Sequence, residues 1–468
     1  MKIVLISPKG PLYRSKGGIF KKSLRYQPLT LTTLASLVPA SLNAEIVLID
    51  EGIEDVPANI DADIIGMTVI TGTAKRAYEL AKKFREQGRI VVLGGPHVTL
   101  LPEEAAQHAD SIVTGYAEDT WPELLNDFVS GHLKPIYRQA PDLSLKDRPF
   151  PARELFDGKN FLTQAVFEAT RSCAHDCEFC VAPTAWGRNQ YQRPVDWVIE
   201  DIKQVGQKKI IFIDLNLISD KRYAKQLFQQ LIPLNVQWYG LSTVLIAHDE
   251  ELIELIARSG CKGLLLGLET VSQDNLKDAN KRFNASVKYK DVIGELHRLG
   301  VAIQGCFVFG LDHDTPDVFD TTVEFAIETG IDLPRFAVLT PFPGTPLYQR
   351  LSKENRILNR NWELYDGQHV VFQPRNMSIE ELAQGHERAW KKVYRWSSIG
   401  KRLWRAKNFS TLALSANFGY RFYAHNLHRF YNCDWQIDPL FPNPFSQYIV
   451  DSEAARKPDD DENRIICG

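Results

Sequence analysis

The sequence predicts an α/β protein in three parts: a doubly wound, Rossmann-like N-terminal domain, a partial (β/α)6 barrel and a helical C-terminal domain. Three observations predict it. Near-continuous apolar strand runs alternate with amphipathic helix runs through about the first 345 residues, the pattern of parallel sheets covered by helices. A stretch holding Pro141, Pro149 and Pro151 interrupts that alternation. Beyond Leu347 the strand runs stop and helical spacing takes over. The parts divide as 1–145, a linker over 146–160, 161–346 and 347–468, sizes that suit separate hydrophobic cores.

In the first region the strand runs are 2–6, 45–49, 63–69, 89–93 and 111–113. A helix over 74–87 places Ala77, Leu80, Ala81 and Phe84 on one face. Ligands of such sheets sit beyond the carboxyl ends of the strands. Those ends fall at 7–18, 50–52, 68–73, 94–97 and 115–118 and are rich in glycine and small hydroxyls, where a backbone comes close to a bulky ligand. In the second region the strand runs are 162–169, 209–214, 236–242, 263–269, 302–309 and 335–340, with helices at 195–205, 249–258 and 287–299 between them. Six units predict an open barrel, not a closed one of eight.

No run of about 18 apolar residues occurs, which argues against a spanning helix. The start, Met1-Lys2-Ile3-Val4-Leu5-Ile6-Ser7-Pro8, is too short in its apolar part for a secretory leader and reads as a first strand. Seven cysteines in 468 residues do not make a disulfide scaffold. Three of them lie within eight residues, which favours a metal site in a reducing compartment and hence a cytoplasmic protein.

Those three form the strongest signal, Arg171-Ser172-Cys173-Ala174-His175-Asp176-Cys177-Glu178-Phe179-Cys180, directly after a strand. Thiolates spaced by three and then two residues fit three corners of a four-iron cluster. Structural zinc wants four ligands, and His175 sits awkwardly to be the fourth. A buried helical stripe has the same spacing, but charged neighbours oppose it. Here the sequence resembles the radical S-adenosylmethionine (SAM) superfamily, whose signature is Cys-x3-Cys-x2-Cys with an aromatic before the last Cys, here Phe179. The resemblance runs over about 160–345. It implies that Cys173, Cys177 and Cys180 hold a 4Fe–4S cluster, whose open iron takes the SAM amino and carboxylate groups. It implies that Asp214 and Asn216 in Phe212-Ile213-Asp214-Leu215-Asn216 meet the SAM amino group. It implies that Glu269 and Ser272 in Gly267-Leu268-Glu269-Thr270-Val271-Ser272 meet the ribose. Gly305-Cys306-Phe307-Val308-Phe309-Gly310-Leu311 resembles the segment near the adenine, and Pro341-Phe342-Pro343-Gly344-Thr345-Pro346 the closing turn. For Asp214 and Glu269 alone, a carboxylate capping a strand-end loop is the plain alternative. Cys261 and Cys306 read as core residues, and neither Cys433 nor Cys467 belongs to a second cluster.

The first region resembles the cobalamin-binding class of that superfamily. The residues are Gly66-Met67-Thr68-Val69-Ile70-Thr71-Gly72-Thr73, then Leu93-Gly94-Gly95-Pro96-His97, then Thr114-Gly115-Tyr116-Ala117-Glu118. The resemblance implies cobalamin contacts at Thr68, Thr71, Thr73, Gly94, Gly95, Gly115 and Glu118. Cobalamin proteins that ligate cobalt from below carry Asp-x-His-x-x-Gly after the first strand; here the loop is Ser7-Pro8-Lys9-Gly10-Pro11-Leu12. The implied corrin therefore has no protein His below it, and His97 reads as an ordinary hydrogen-bonding residue.

The net charge of −3 hides a segregation: residues 388–430 hold ten Lys or Arg, no Asp or Glu and ten aromatics, leaving −13 elsewhere. A basic amphipathic helix there has three readings. It can dock on the barrel, lie on an anionic membrane surface or bind RNA. No RNA-binding module is evident, so no nucleic-acid partner is expected. Asp459-Asp460-Asp461-Glu462 reads as a frayed tail.

The resemblance implies reductive cleavage of SAM to a 5′-deoxyadenosyl radical. It further implies a cobalamin-dependent methyltransferase acting on an unactivated carbon of a small or lipid-like substrate, with a one-electron reductant such as flavodoxin or ferredoxin. Radical cyclisation, rearrangement or carbon–carbon coupling without methyl transfer is the second reading. A non-catalytic iron–sulfur or cobalamin sensor is the third.

Overall fold

A computed structural model describes residues 1–10, 26–140, 142–285 and 287–427. Pro11 and Leu12, Cys433 and Cys467, residues 428–430 of the basic segment and the acidic run from Asp459 to Glu462 lie outside the described residues.

The first sheet has six parallel strands: β1 (Lys2–Ser7), β2 (Glu45–Asp50), β3 (Ile64–Thr68), β4 (Ile90–Gly94), β5 (Ser111–Thr114) and β6 (Ile136–Arg138). Their order is β2-β1-β3-β4-β5-β6, so the winding reverses between β1 and β3, where such sheets open a crevice. Ile3, Val4, Leu5 and Ile6 are all buried, successive residues on opposite faces. One face packs on the helix Ala74–Glu86 through Ala77, Leu80, Ala81 and Phe84. The other packs on Leu31, Trp121, Leu124 and Leu125. β6 was not expected from the sequence. It is a three-residue edge strand following Pro135, too short to show a period.

The stretch read as a linker is tied to both neighbours. Phe156 enters the core of the first sheet. Buried Arg153 donates to Asp201 of the helix Val195–Val205 at 2.6 and 2.9 Å.

The second sheet is also parallel: β7 (Val166–Phe167), then β10 (Lys209–Phe212), β11 (Gln237–Ser242), β12 (Cys261–Glu269), β13 (Ala302–Phe309) and β14 (Arg335–Val338), in the order β14-β13-β12-β11-β10-β7. A short antiparallel pair, β8 (Thr170–Arg171) and β9 (Tyr191–Gln192), brackets the cysteine segment. The barrel is open, as six units predict. β7 is far shorter than the expected run over 162–169, because Thr163 and Gln164 turn before it. Burial alternates along β13: Ile303, Gly305, Phe307 and Phe309 are buried, while Gln304, Cys306 and Val308 are half-exposed. One face lies under helices and the other lines a concavity.

The C-terminal region is helical only in part. Ile357 and Phe372 form an antiparallel bridge before the helices Ile379–Val393, Trp396–Ala406 and Thr411–His425. The single basic helix is thus three, the second and third separated where Lys407 turns left-handed at φ 52°. The helix Ile379–Val393 docks: Trp390, Val393 and Tyr394 are buried, Lys391 pairs with Glu387 and Lys392 with Asp320. Arg402 is buried and donates to the Ile331 and Val393 carbonyls and to Asn417. No described helix is long and apolar enough to cross a membrane.

Candidate active site

The strand-end loops of the two sheets meet. Between them lies a cavity of about 240 Å³, lined on one side by Gly66, Gly94, Gly95 and Gly115 and on the other by Arg171 and Trp186. Gly95 has φ +105°, and a Cβ there would lie 2.8 Å from both the Val69 nitrogen and oxygen. Only glycine leaves room there, so the turn brings its backbone against Val69 at the rim of the cavity. Glu118 is buried and lines the cavity with Thr68. Its Oε2 has no hydrogen-bond partner in the protein, which leaves an acceptor for a ligand's amide.

Two other predicted contacts stand back from the cavity. Thr71 and Thr73 sit buried in a single 3-10 turn, Thr71–Thr73. Thr73 Oγ1 accepts from the Ile70 amide and donates to the Ile70 carbonyl, closing the turn. His97 is buried with both ring nitrogens engaged, by Glu104 at 3.2 Å and Thr71 at 3.4 Å. Glu104 also accepts from Trp362 at 3.1 Å. His97 therefore has the ordinary hydrogen-bonding role expected of it.

Cys173, Cys177 and Cys180 are free thiols on one loop and lie within electrostatic reach of one another. Burial pushes the Cys177 thiol up to about 12, with the Lys281 ammonium acting against it. Among the described residues no set of three His, Cys, Asp or Glu closes round a single metal ion. Three thiols spaced by three and two residues are the donor chemistry a four-iron cluster takes at three of its corners. The loop is clasped from outside: the Glu178 amide donates to the Ala279 carbonyl, and Arg350 pairs with Glu178 at 2.6 Å and with Asp312 at 2.7 Å. Phe179 packs against the barrel core.

Beyond β10, Ile213 and Leu215 face the cavity, and Asp214 between them turns toward the Ala169 and Thr170 amides. Asn216 is buried and its amide donates to Cys173 Sγ at 3.8 Å. Asp214 is engaged within the protein. It is buried, and it accepts from the Ala169 and Thr170 amides and from Thr170 Oγ1 at 2.8 Å. Its oxygens hold the strand that leads into the cysteine loop. Ser272 likewise caps the helix Gln273–Asp278, accepting from the Asn275 amide.

Glu269 ends β12 at a register shift with φ 63°, unusual for a residue bearing a side chain. Tyr289 and Asn284 donate to the Leu268 and Gly267 carbonyls and brace the turn. Glu269 forms an ion pair with buried Lys281, which lies within electrostatic reach of Cys177 and Cys180. Lys281 belongs to no motif, so sequence reading had no signal for it.

Nor did it find Arg171 as the joint between the sheets. That guanidinium pairs with Glu168 at 2.6 Å and with Glu118 beyond β5, and lies over the Tyr116 ring. Tyr116 in turn stacks on Trp186, 5.4 Å away and 5° from parallel. Arg171 is two residues before Cys173, so the glycine-lined cavity and the cysteine loop share a wall.

Comparison with known proteins finds three matched regions. Residues 167–326 match the radical SAM superfamily, residues 28–125 the B12 binding domain, and residues 345–437 a domain of unknown function. Bacteriochlorophyllide d C-12(1)-methyltransferase of Chlorobaculum tepidum is 32% identical over 80% of this chain and 84% of its own length. The C-8(2)-methyltransferase of the same organism is 30% identical over 83% and 90%. The fold matches a radical SAM methyltransferase, TsrM from Kitasatospora setae, solved with cobalamin and a 4Fe–4S cluster. The TM-score is 0.60 and the identity 16%, covering 76% of this chain and 78% of that one. A cysteine triad beside a glycine-lined cavity thus goes with a radical SAM match, a B12-binding match and relatives 30% or more identical, and the chain belongs to the radical SAM superfamily, in its cobalamin-binding class.

Proposed function

We propose that this enzyme methylates an unactivated carbon of a small, apolar substrate held between the two sheets. The observation that carries the reading is the wall shared by the cavity and the cysteine loop, built on the Arg171–Glu118 pair. When bound, the 4Fe–4S cluster supplies the electron that cleaves SAM and cobalamin supplies the methyl group. Cys173, Cys177 and Cys180 would hold the cluster. The Asn216 amide, donating to Cys173 Sγ, steadies thiolate charge there. Lys281 adds a positive field beside Cys177 and Cys180. Glu269, fixed by its turn, offers a carboxylate to the ribose hydroxyls. Gly94, Gly95 and Gly115 let the corrin approach the backbone, and the free Oε2 of Glu118 accepts from its amide groups. Asp214 and Arg350 keep the cysteine loop in place.

Two partners belong to the same proposal. A one-electron reductant, flavodoxin or ferredoxin in type, would feed the cluster. An anionic lipid surface would meet the last two helices, where Trp396, Trp404, Phe409 and Phe418 are exposed beside exposed Arg395, Lys401, Arg405 and Lys407.

The test is anaerobic reconstitution with cluster, cobalamin and SAM, followed by product analysis. S-adenosylhomocysteine and 5′-deoxyadenosine formed together with a methylated product support methyl transfer. 5′-Deoxyadenosine with an altered but unmethylated substrate moves the enzyme to a radical rearrangement or coupling. Neither nucleoside product sinks the catalytic reading.

A further inference from the structure

Arg335 opens β14 opposite Cys306 of β13, which stands opposite Gly267 of β12. Paired residues of neighbouring strands point to one face. Phe307 and Phe309 pack on Phe325 and Phe319 of the helix Val318–Thr329, so Cys306 and Arg335 face the opposite, concave side. Stagger lifts Arg335 up the barrel. First in its own strand, it is level with Gly267, two residues before Glu269.

Among the described residues Arg335 has no ion pair and no side-chain hydrogen bond, and it is exposed. Yet it lies within electrostatic reach of Cys306, Tyr420 and Tyr423, all neutral groups. The tyrosines come from the helix Thr411–His425, which reaches the concave face where Gln304 donates to the Tyr420 hydroxyl at 2.7 Å. Other arginines near the site, Arg171, Arg350 and Arg356, are each neutralised by carboxylates.

We propose that Arg335 anchors a carboxylate of the substrate, so that the enzyme takes an apolar molecule bearing at least one carboxyl group. The guanidinium fork matches a carboxylate in two parallel hydrogen bonds. Tyr420 and Tyr423 give the apolar body a wall. Anchoring the charged end beside Gly267 fixes which carbon lies near Glu269 and the cavity. The SAM carboxylate is the other source of such an anion, but Lys281 already supplies a cation beside Cys177 and Cys180. The inference rests on the reading that the barrel's concave face receives the substrate.

The probe pair is protoporphyrin IX and its dimethyl ester, flat apolar rings with and without free carboxylates. Their fluorescence is titrated with the full-length, anaerobically reconstituted protein. The free acid is expected to bind more tightly than the ester. R335Q is expected to weaken the acid about tenfold or more and leave the ester unchanged, and R335K to recover part of the loss. SAM binding by dialysis and reductant-driven 5′-deoxyadenosine formation should be unchanged in R335Q, which also shows the variant folded. Equal binding of acid and ester, binding of neither, or an equal loss of both in R335Q overturns the assignment. So does a loss confined to SAM, which makes the anion the cofactor's own. Failure of the wild-type protein to form 5′-deoxyadenosine counts against the catalytic reading instead, whatever the probes do.

Discussion

β1 of the first sheet is buried on both faces, with one apolar core above and another below. β13 of the second is buried on one face only, over a single core that continues into the C-terminal helices. Both sheets are six parallel strands, yet the difference dictates where each receives a ligand. A sheet filled on both faces can offer only its strand ends, and there the chain gives up side chains at Gly94, Gly95 and Gly115. A curved sheet with one open face can take ligands inside, and there it presents Glu269, Cys306 and Arg335. The first site is a cradle of backbone; the second is a wall of functional side chains.

The sharpest way to break that division is to empty one site at a time. Cys177→Ala should abolish both the visible absorption of the 4Fe–4S cluster and 5′-deoxyadenosine formation while cobalamin is still retained. Gly95→Ala should do the reverse. A Cβ there meets the Val69 backbone at 2.8 Å with φ at +105°, so the corrin spectrum should vanish and the cluster spectrum persist. If either variant loses both cofactors together, the two sites are not separable.

Next comes the joint between them. Arg171→Gln leaves buried Glu118 and half-buried Glu168 without their cation. Removing one partner of a buried pair costs roughly 3–5 kcal/mol, so thermal unfolding should fall by many degrees. Bound cofactors should then fail to protect both sheets together. An unchanged melting temperature would mean the pair does not join them.

The core of the second sheet should also be sensitive to acid. His386 is fully buried against Trp390 and Phe336, and burial pushes its imidazole down to about 4. A depressed His contributes stability in full above its unfolded value of about 6.5 and loses it as pH falls from there toward about 4. The shift corresponds to roughly 3 kcal/mol at most. Melting followed by tryptophan fluorescence should therefore weaken between pH 6.5 and 5, and a His386→Gln variant should be flatter. A wild-type profile already flat over that range would refute it.

The smallest effect concerns the surface. Trp404 is 74% exposed and Phe418 58%, and changing both to Ala should leave stability nearly untouched. Co-sedimentation with anionic liposomes should fall severalfold, and neutral liposomes should bind weakly throughout. No binding of the wild-type protein to anionic vesicles removes lipid contact from the proposal.

Much of the architecture was legible because its signals are local. Val195–Val205 and Ala302–Phe309 lie where apolar period and strand composition place them. The cysteines declared themselves by spacing alone, since three ligands to one cluster must be neighbours in the loop that wraps it. β6 escaped because three residues carry no period, and the basic segment left docking, membrane and RNA readings open because charge says nothing of what it faces. In that segment Arg402 is buried among carbonyls, and Lys391 and Lys392 are paired with Glu387 and Asp320. Asp214 was the subtler case. Its motif position suits a cofactor contact, but the side chain turns toward the Ala169 and Thr170 amides.

The sequence by itself determined the two parallel sheets, the cysteine triad and the glycine-rich strand ends, because periodicity, ligand spacing and missing Cβ atoms are properties of short stretches. The tertiary structure alone decided that Arg171 joins the sheets through Glu118, that Lys281 stands beside the thiols and Glu269, and that Arg335 faces the concavity unpaired. The two ion pairs bridge 53 and 12 residues of chain, and the nearness of Arg335 to Tyr420 bridges 85. Contacts at such separations are fixed by the way layers pack and strands stagger, which no local pattern encodes.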